Sequence, residues 1–115
     1  LGNMVYANRY GNGDQASGDG YNLRGRGPLM LTFRGNYAEA SYALLGNDRL
    51  IEYPDHVLLD NLTGATVAAR YWYTRGCNDL ADHRNWREVT RKINGGTIGL
   101  EERIALTESA MEVLA

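Results

Sequence analysis

The stretch Gly18-Asp-Gly-Tyr-Asn-Leu-Arg-Gly-Arg-Gly-Pro-Leu-Met-Leu-Thr-Phe-Arg-Gly-Asn-Tyr37 interleaves glycine with charged, amide and aromatic residues. Glycine permits tight turns and lets a ligand approach the backbone closely. The planar guanidinium groups of Arg24 and Arg26 suit carboxylates and clustered hydroxyl groups. The apolar run at 28–32 is short and bounded by turn residues, which predicts a buried extended segment rather than a helix. Such a stretch is typical of a binding cleft or of a structural loop, and these residues leave both interpretations open.

The chain after this stretch has a helical pattern. Asn36 is a plausible cap for a first helix, which Gly46 would end. Pro54 is predicted to open a short turn of helix. Residues 63–75 place aromatic and small apolar side chains at helical spacing. We predict that this helix, ended by Gly76, is the central element of the core.

The C-terminal part of the chain carries clear helix boundaries. Asn85 and Glu88 are spaced as in a capping box, so a helix is predicted to begin there. The sequence Asn94-Gly-Gly96 would end it and leave the Asn94 side chain at an exposed corner. A last helix is predicted from about Leu100 to Leu114. The chain from residue 36 onward is therefore expected to be helix and turn, and the fold class mainly α.

Composition limits the classes of protein to consider. The chain has 115 residues, 43% of them hydrophobic and 23% charged, which is ordinary for one globular domain. Its net charge of -2 provides no general attraction to nucleic acid or to an anionic membrane. No apolar run approaches the ~20 residues of a membrane span. Cys77 is the single cysteine, which excludes an internal disulfide, and His56 and His83 lie at no metal-ligand spacing from it. We expect no metal, no cofactor, no nucleic-acid partner and no stable membrane insertion.

Several motifs in order resemble one protein family. The run Gly25-Arg-Gly-Pro-Leu-Met-Leu-Thr-x-x-x-Asn-Tyr37 resembles the glycine-arginine-glycine signature of the family-19 glycoside hydrolases, which comprise plant-type chitinases and related phage and prophage endolysins. Residues 6–20 are similar to the endolysin branch, and 89–96 and 99–104 match later family motifs. The resemblance implies a single mainly α, lysozyme-like or chitinase-like helical domain over residues 1–115. It would have a glycine-rich, irregular N-terminal region with a cleft and be incomplete at its N-terminus.

The resemblance also implies a chemistry. Inverting hydrolysis of a glycosidic bond needs an acid and a base whose carboxyl groups lie about 6.5–9.5 Å apart. The family's general acid is a glutamate upstream of the glycine-arginine-glycine motif, so we expect it to lie outside these residues. Gln15 stands where endolysin relatives often carry glutamate, which leaves Asp14 and Asp19 as the nearest carboxylates. Asp19 lies between two glycines that could expose it toward a cleft as a catalytic group; alternatively, it caps a turn.

Four further positions match the family's functional residues. Thr32 matches a serine or threonine that helps to hold the attacking water and is the second catalytic candidate. Asn36 and Asn94 match asparagines that bind the sugar chain. Arg103 matches an arginine near the catalytic centre, where a cation lowers the pKa of a carboxyl group. For Asn36 and Arg103, a place on the solvated surface is the alternative.

Tyr21 and Arg26 complete the candidates for substrate binding. Tyr21, like Tyr6 and Tyr10, would either stack on a sugar ring or pack half-buried against the protein. Met30 departs from the family, which usually carries a glutamine that contacts substrate there. This change should alter or weaken one sugar contact.

The resemblance implies a glycoside hydrolase that cleaves β-1,4 bonds of peptidoglycan, or of chitin, by inversion. It would act as a monomer on peptidoglycan or chitin oligosaccharides. The alternatives are a catalytically incomplete relative that binds glycan without the general-acid glutamate, and a structural part of a larger lytic or tail-associated machine. Because no signal-peptide pattern is present, we expect synthesis in the cytoplasm and action on the cell wall, reached at lysis or by a holin-type route.

Overall fold

The computed structural model describes residues 1–59 and 61–115, and it confirms the predicted mainly α class. A single antiparallel bridge, Arg26 to Leu31, is the β-pairing that these residues contain. No helix in these ranges is long and apolar enough to cross a bilayer. The helices are α1 (Gly2–Val5), α2 (Asp19–Asn22), α3 (Arg34–Leu45), α4 (Arg49–Glu52), α5 (His56–Leu59), α6 (Asn61–Thr74), α7 (Cys77–Asp82), α8 (Trp86–Asn94) and α9 (Leu100–Leu114), with a 3₁₀ turn at Gln15–Ser17.

The chain divides into two compact units, Leu1–Tyr71 and Trp72–Ala115. In the described part of the first unit, the core is centred on α3 rather than on α6, which corrects the prediction for the aromatic helix. Tyr37 of α3 has no exposed surface, whereas α6 contributes Val67. At Gly64, α6 brings its backbone against Val57, since a Cβ there would lie 3.0 Å from the Val57 carbonyl oxygen. The core residues are Leu23, Leu31, Tyr37, Ala40, Leu50, Val57 and Val67.

The apolar run at 28–32 forms a turn, so the predicted buried extended segment is wrong. The Arg26 and Leu31 backbones exchange two hydrogen bonds of 3.1 and 2.8 Å, and the Met30 N–H donates to the Gly27 carbonyl at 3.0 Å. Gly27 and Met30 have positive φ angles of 81° and 55°. Four residues must reverse the chain between the bridge partners, so their apolar side chains cannot all point inward. Leu31 is buried, whereas Met30 is 63% exposed.

The start of α3 also differs from the prediction, because Asn36 lies inside the helix and does not cap it. The cap position belongs to Phe33, whose φ is 73°. Asn12 supplies the missing acceptor from a distant loop, since its Oδ1 accepts from the Arg34 N–H at 2.7 Å. The Tyr10 carbonyl accepts from the next N–H, that of Gly35, at 2.9 Å. The loop that precedes the 3₁₀ turn is thereby fixed to the first turn of α3.

The second unit follows the sequence prediction closely. Asn85 caps α8 by accepting from the Glu88 N–H at 3.3 Å. Gly95, with φ of 77°, ends α8 in the left-handed conformation and leaves Asn94 exposed. The last helix has the predicted bounds, but its apolar stripe is buried at Leu100 and reaches solvent at Leu114, which is 84% exposed.

Candidate functional site

Arg26 is the buried centre of the glycine-arginine-glycine motif. It is 5% exposed, and its Nη1 donates to the Asn22 carbonyl at 2.8 Å and to the Tyr37 hydroxyl at 2.9 Å. Its Nε donates to Asp55 Oδ1 at 3.0 Å. The Tyr37 hydroxyl in turn donates to the Arg24 carbonyl at 2.7 Å. These contacts make Arg26 the link between the loop and the core, and its binding of substrate stays a prediction.

Asp19 is locked in an ion pair. It is 5% exposed, and its two carboxylate oxygens accept from Nε and Nη2 of Arg34, each at 2.9 Å. Oδ2 also accepts from the Gly13 N–H at 2.9 Å. The hydrogen bond from Arg34 holds the pKa of Asp19 below its ordinary value, although burial acts in the opposite direction.

This geometry favours a structural role for Asp19. The expectation that its flanking glycines expose the carboxylate toward a cleft is wrong. A carboxylate with a lowered pKa and three donors on its oxygens is a weak base. Its role as a catalytic group stays a prediction, and the contacts favour a structural role.

Asp14 is the exposed carboxylate of the same loop. Its Oδ1 accepts from the Ser17 N–H at 3.1 Å and its carbonyl accepts from the Ser17 hydroxyl at 2.6 Å. These bonds cap the 3₁₀ turn, which begins at Gln15. Asp14 is therefore both held in place and open to solvent.

Thr32 lies directly after the bridge that closes the turn. Its hydroxyl donates to the Met30 carbonyl at 2.6 Å. A Cβ on Gly25 would lie 2.6 Å from Met30 Cε and 3.2 Å from Thr32 Oγ1, so a larger residue would displace one of them. The Thr32 proton is committed to a backbone acceptor, which leaves the oxygen lone pairs to accept from a water or a sugar hydroxyl.

Exposed aromatic rings accompany these polar groups. Tyr21 is 57% exposed, and the Arg24 guanidinium lies 4.3 Å from its ring centroid. The rings of Tyr10 and Phe33 are 4.8 Å apart, and the Arg9 guanidinium lies 5.4 Å from the Phe33 centroid. Pairs of a ring and a cation can present an apolar face and hydrogen-bond donors to the same sugar.

The predicted residues of the second unit contact each other. With its amide oxygen facing the guanidinium, Asn94 accepts from Nη2 and Nη1 of Arg103 at 2.8 and 2.9 Å. Arg103 Nη1 also donates to the Ile98 carbonyl at 2.6 Å. Asn94 and Arg103 thus form one polar group at the α8–α9 connection. The other predicted residues, Thr32, Asp19, Tyr21, Arg26 and Asn36, belong to the first unit.

Two residues that organise the loop were not predicted. Arg34 lies 15 positions from its partner Asp19, and Asn12 lies 22 positions from the N–H that it caps. These residue types can be read from the sequence, but their separation is too large for a spacing rule to predict which of them interact. Among the described residues, no three histidine, cysteine or acidic side chains are grouped as metal ligands would be.

Comparison with known proteins supports the resemblance to the family-19 glycoside hydrolases. No protein-family model matches the chain. A glycosyl hydrolase family 19 domain-containing protein of Haemophilus influenzae is 43% identical to it over 111 residues, which are 96% of this chain and 52% of the relative. The chain therefore spans about half the length of this curated relative. Homology over nearly the whole chain to this protein confirms the predicted resemblance to the family-19 glycoside hydrolases.

Proposed function

We propose that this chain is the glycan-holding part of a glycoside hydrolase that cleaves β-1,4 bonds of peptidoglycan by inversion, as phage and prophage endolysins do. The match, over 96% of this chain, to a glycosyl hydrolase family 19 domain-containing protein is the observation that carries the proposal. The general acid would lie outside these 115 residues. The protein would act on the cell wall after its release at lysis.

Within the chain, we assign the base to Asp14 rather than Asp19. Asp14 is exposed and fixed at the start of the 3₁₀ turn. Asp19 has each carboxylate oxygen occupied by Arg34. Asp14 would take a proton from the attacking water as that water bonds to the anomeric carbon, while the upstream acid protonates the departing sugar oxygen. Thr32 would orient the water by accepting a hydrogen bond from it.

A second candidate function is glycan binding without cleavage, and the contacts of Asp14 and Asp19 are the reason to test it. The ion pair removes Asp19 as a free base, and Gln15 carries an amide that cannot accept a proton at neutral pH. If Asp14 serves only as a cap, the chain binds glycan without cutting it. The exposed Tyr21 and Arg24 pair would then hold a sugar ring.

The test is a digest of purified peptidoglycan by the full-length protein, with products identified by mass spectrometry. Asp14→Asn keeps the side-chain acceptor that caps Ser17 but removes the base, so we expect release of muropeptides to fall by about 10²-fold or more. Asp82→Asn, which changes an exposed carboxylate in α7, is the matched control and should retain full release. Full release by Asp14→Asn would exclude Asp14 as the base. Sedimentation with the wall without any release would support the binding function instead.

A further inference from the structure

The turn between α3 and α4 carries an open pocket. Its volume is about 530 Å³, which lies within the range of small-molecule sites, and its surface is mainly polar. None of its residues is among those described above for the candidate site. We call it the turn pocket, and its lining residues are Tyr42, Gly46, Asn47, Asp48, Arg49 and Glu52.

A buried serine hydrogen-bonds the backbone of the turn pocket. Ser41 has no exposed surface, and its hydroxyl donates to the Asn47 carbonyl at 2.6 Å. The same oxygen accepts from the N–H of Leu50, itself fully buried, at 3.0 Å. The Asn47 side chain accepts from the Arg49 N–H at 3.0 Å. The pocket is therefore formed before a ligand arrives, which lowers the entropy cost of binding.

The side chains around this backbone face solvent, and Arg49 is held by its neighbours. Tyr42 is 55% exposed, and the interaction with the Asp48 carboxyl group is the main cause that raises the pKa of its phenol. Arg49 Nε donates to His56 Nδ1 at 3.0 Å, and its guanidinium lies 5.6 Å from the Tyr53 ring centroid. An oriented guanidinium thus lies beside the exposed ring of Tyr53, and the exposed ring of Tyr42 lines the same turn pocket.

This combination fits a neutral sugar. Carboxylates accept from hydroxyl groups, while an amide and a guanidinium donate to hydroxyl and acetamido oxygens. Aromatic rings pack against the apolar face of a pyranose. The carboxylates of Asp48 and Glu52 outnumber the single guanidinium of Arg49, which disfavours a phosphate or another anion.

We propose that the turn pocket binds one pyranose ring of an N-acetylated β-1,4 glycan, as an accessory contact separate from the site of hydrolysis. The choice of glycan rests on the proposed function. An accessory contact would keep the chain on its polymer between cleavage events, because a second weak site raises the effective concentration of substrate.

The experiment is an amide NMR titration of the isotope-labelled chain with the β-1,4-linked trimer of N-acetylglucosamine. We expect saturable shifts at residues 46–52, with a Kd of about 1 mM. Tyr42→Ala should weaken this binding by about tenfold or more, since the phenol ring that lines the pocket is lost. Tyr73→Ala removes a tyrosine of the second unit that is 74% exposed, and this variant should bind the trimer with unchanged affinity.

The outcomes separate this proposal from the proposed function. No shift at residues 46–52 up to about 20 mM trimer, or equal affinity of Tyr42→Ala and the native chain, would overturn the turn pocket as a sugar site. Shifts at residues 46–52 that appear with calcium ions but not with the trimer would also overturn it. The peptidoglycan digest tests hydrolysis independently. Saturable shifts in the turn pocket without muropeptide release would support the sugar site and contradict the proposed hydrolase activity.

Discussion

Asp19 and Arg34 form the ion pair that shapes the glycine-rich loop. Asp19 is nearly buried, whereas the Arg34 side chain is 45% exposed, so solvent screens part of their attraction. The pair also joins two chain segments, because Asp19 starts α2 and Arg34 starts α3. Its main effect is therefore to fix the loop that carries Asp14.

Replacing Asp19 by Asn should destabilise the fold by about 2 kcal/mol at pH 7, because Arg34 and the Gly13 N–H lose a charged acceptor. The pKa of Asp19 is lowered in the folded state, so its contribution is present above about pH 5. The contribution is lost as the pH falls below the ordinary value of 3.8 and through the folded pKa. Urea unfolding at several pH values measures both effects. A gap between the native chain and Asp19→Asn that stays constant down to pH 2 would contradict the ion pair.

Side chains such as Arg26 show where sequence analysis reaches its limit. Its motif resembles the signature of the family-19 glycoside hydrolases, and the relative confirms that resemblance. Its burial was not predictable, because it depends on Tyr37 and Asp55, which lie 11 and 29 positions away. Spacing rules describe neighbours on one element, whereas these partners meet only when the chain folds.

The helices show the same division between local and distant signals. α8 was predicted with its bounds because its caps, Asn85 and Gly95, are adjacent to it in the sequence. The bounds of α9 followed from the spacing of its apolar residues between Leu100 and Leu114. The start of α3 was misplaced because its acceptor comes from Asn12. The turn at 27–30 was misread as extended because a single bridge, rather than an apolar pattern, defines it.

The cap from Asn12 is itself testable. Asn12→Ala removes the acceptor of the Arg34 N–H and the donor to the Tyr6 carbonyl, so we expect a loss of about 1–2 kcal/mol in the free energy of unfolding. Asn22→Ala is the matched control, since Asn22 is exposed and its contact with Arg26 comes from the backbone. Chemical denaturation of both variants compares them directly. Equal stability of the two would show that the α3 terminus does not depend on Asn12.

The chain as a whole combines a fixed loop, a polar turn pocket and a second unit with its own polar pair. The loop and the turn pocket lie at opposite ends of α3, since Asn12 and Arg34 meet at its start and Gly46 ends it. With a net charge of -2, the protein has no strong field to attract a polymer. Binding of a glycan would therefore depend on hydrogen bonds and ring contacts at defined positions.

The anomeric configuration of the first product distinguishes an inverting hydrolase from a retaining one. The full-length protein would digest purified peptidoglycan while proton NMR follows the new reducing ends before they mutarotate. We predict that the α-anomer appears first, because inversion at a β-1,4 bond places the new hydroxyl on the opposite face. A first product with the β configuration would contradict inversion, and the absence of any new reducing end would contradict the assignment as a hydrolase.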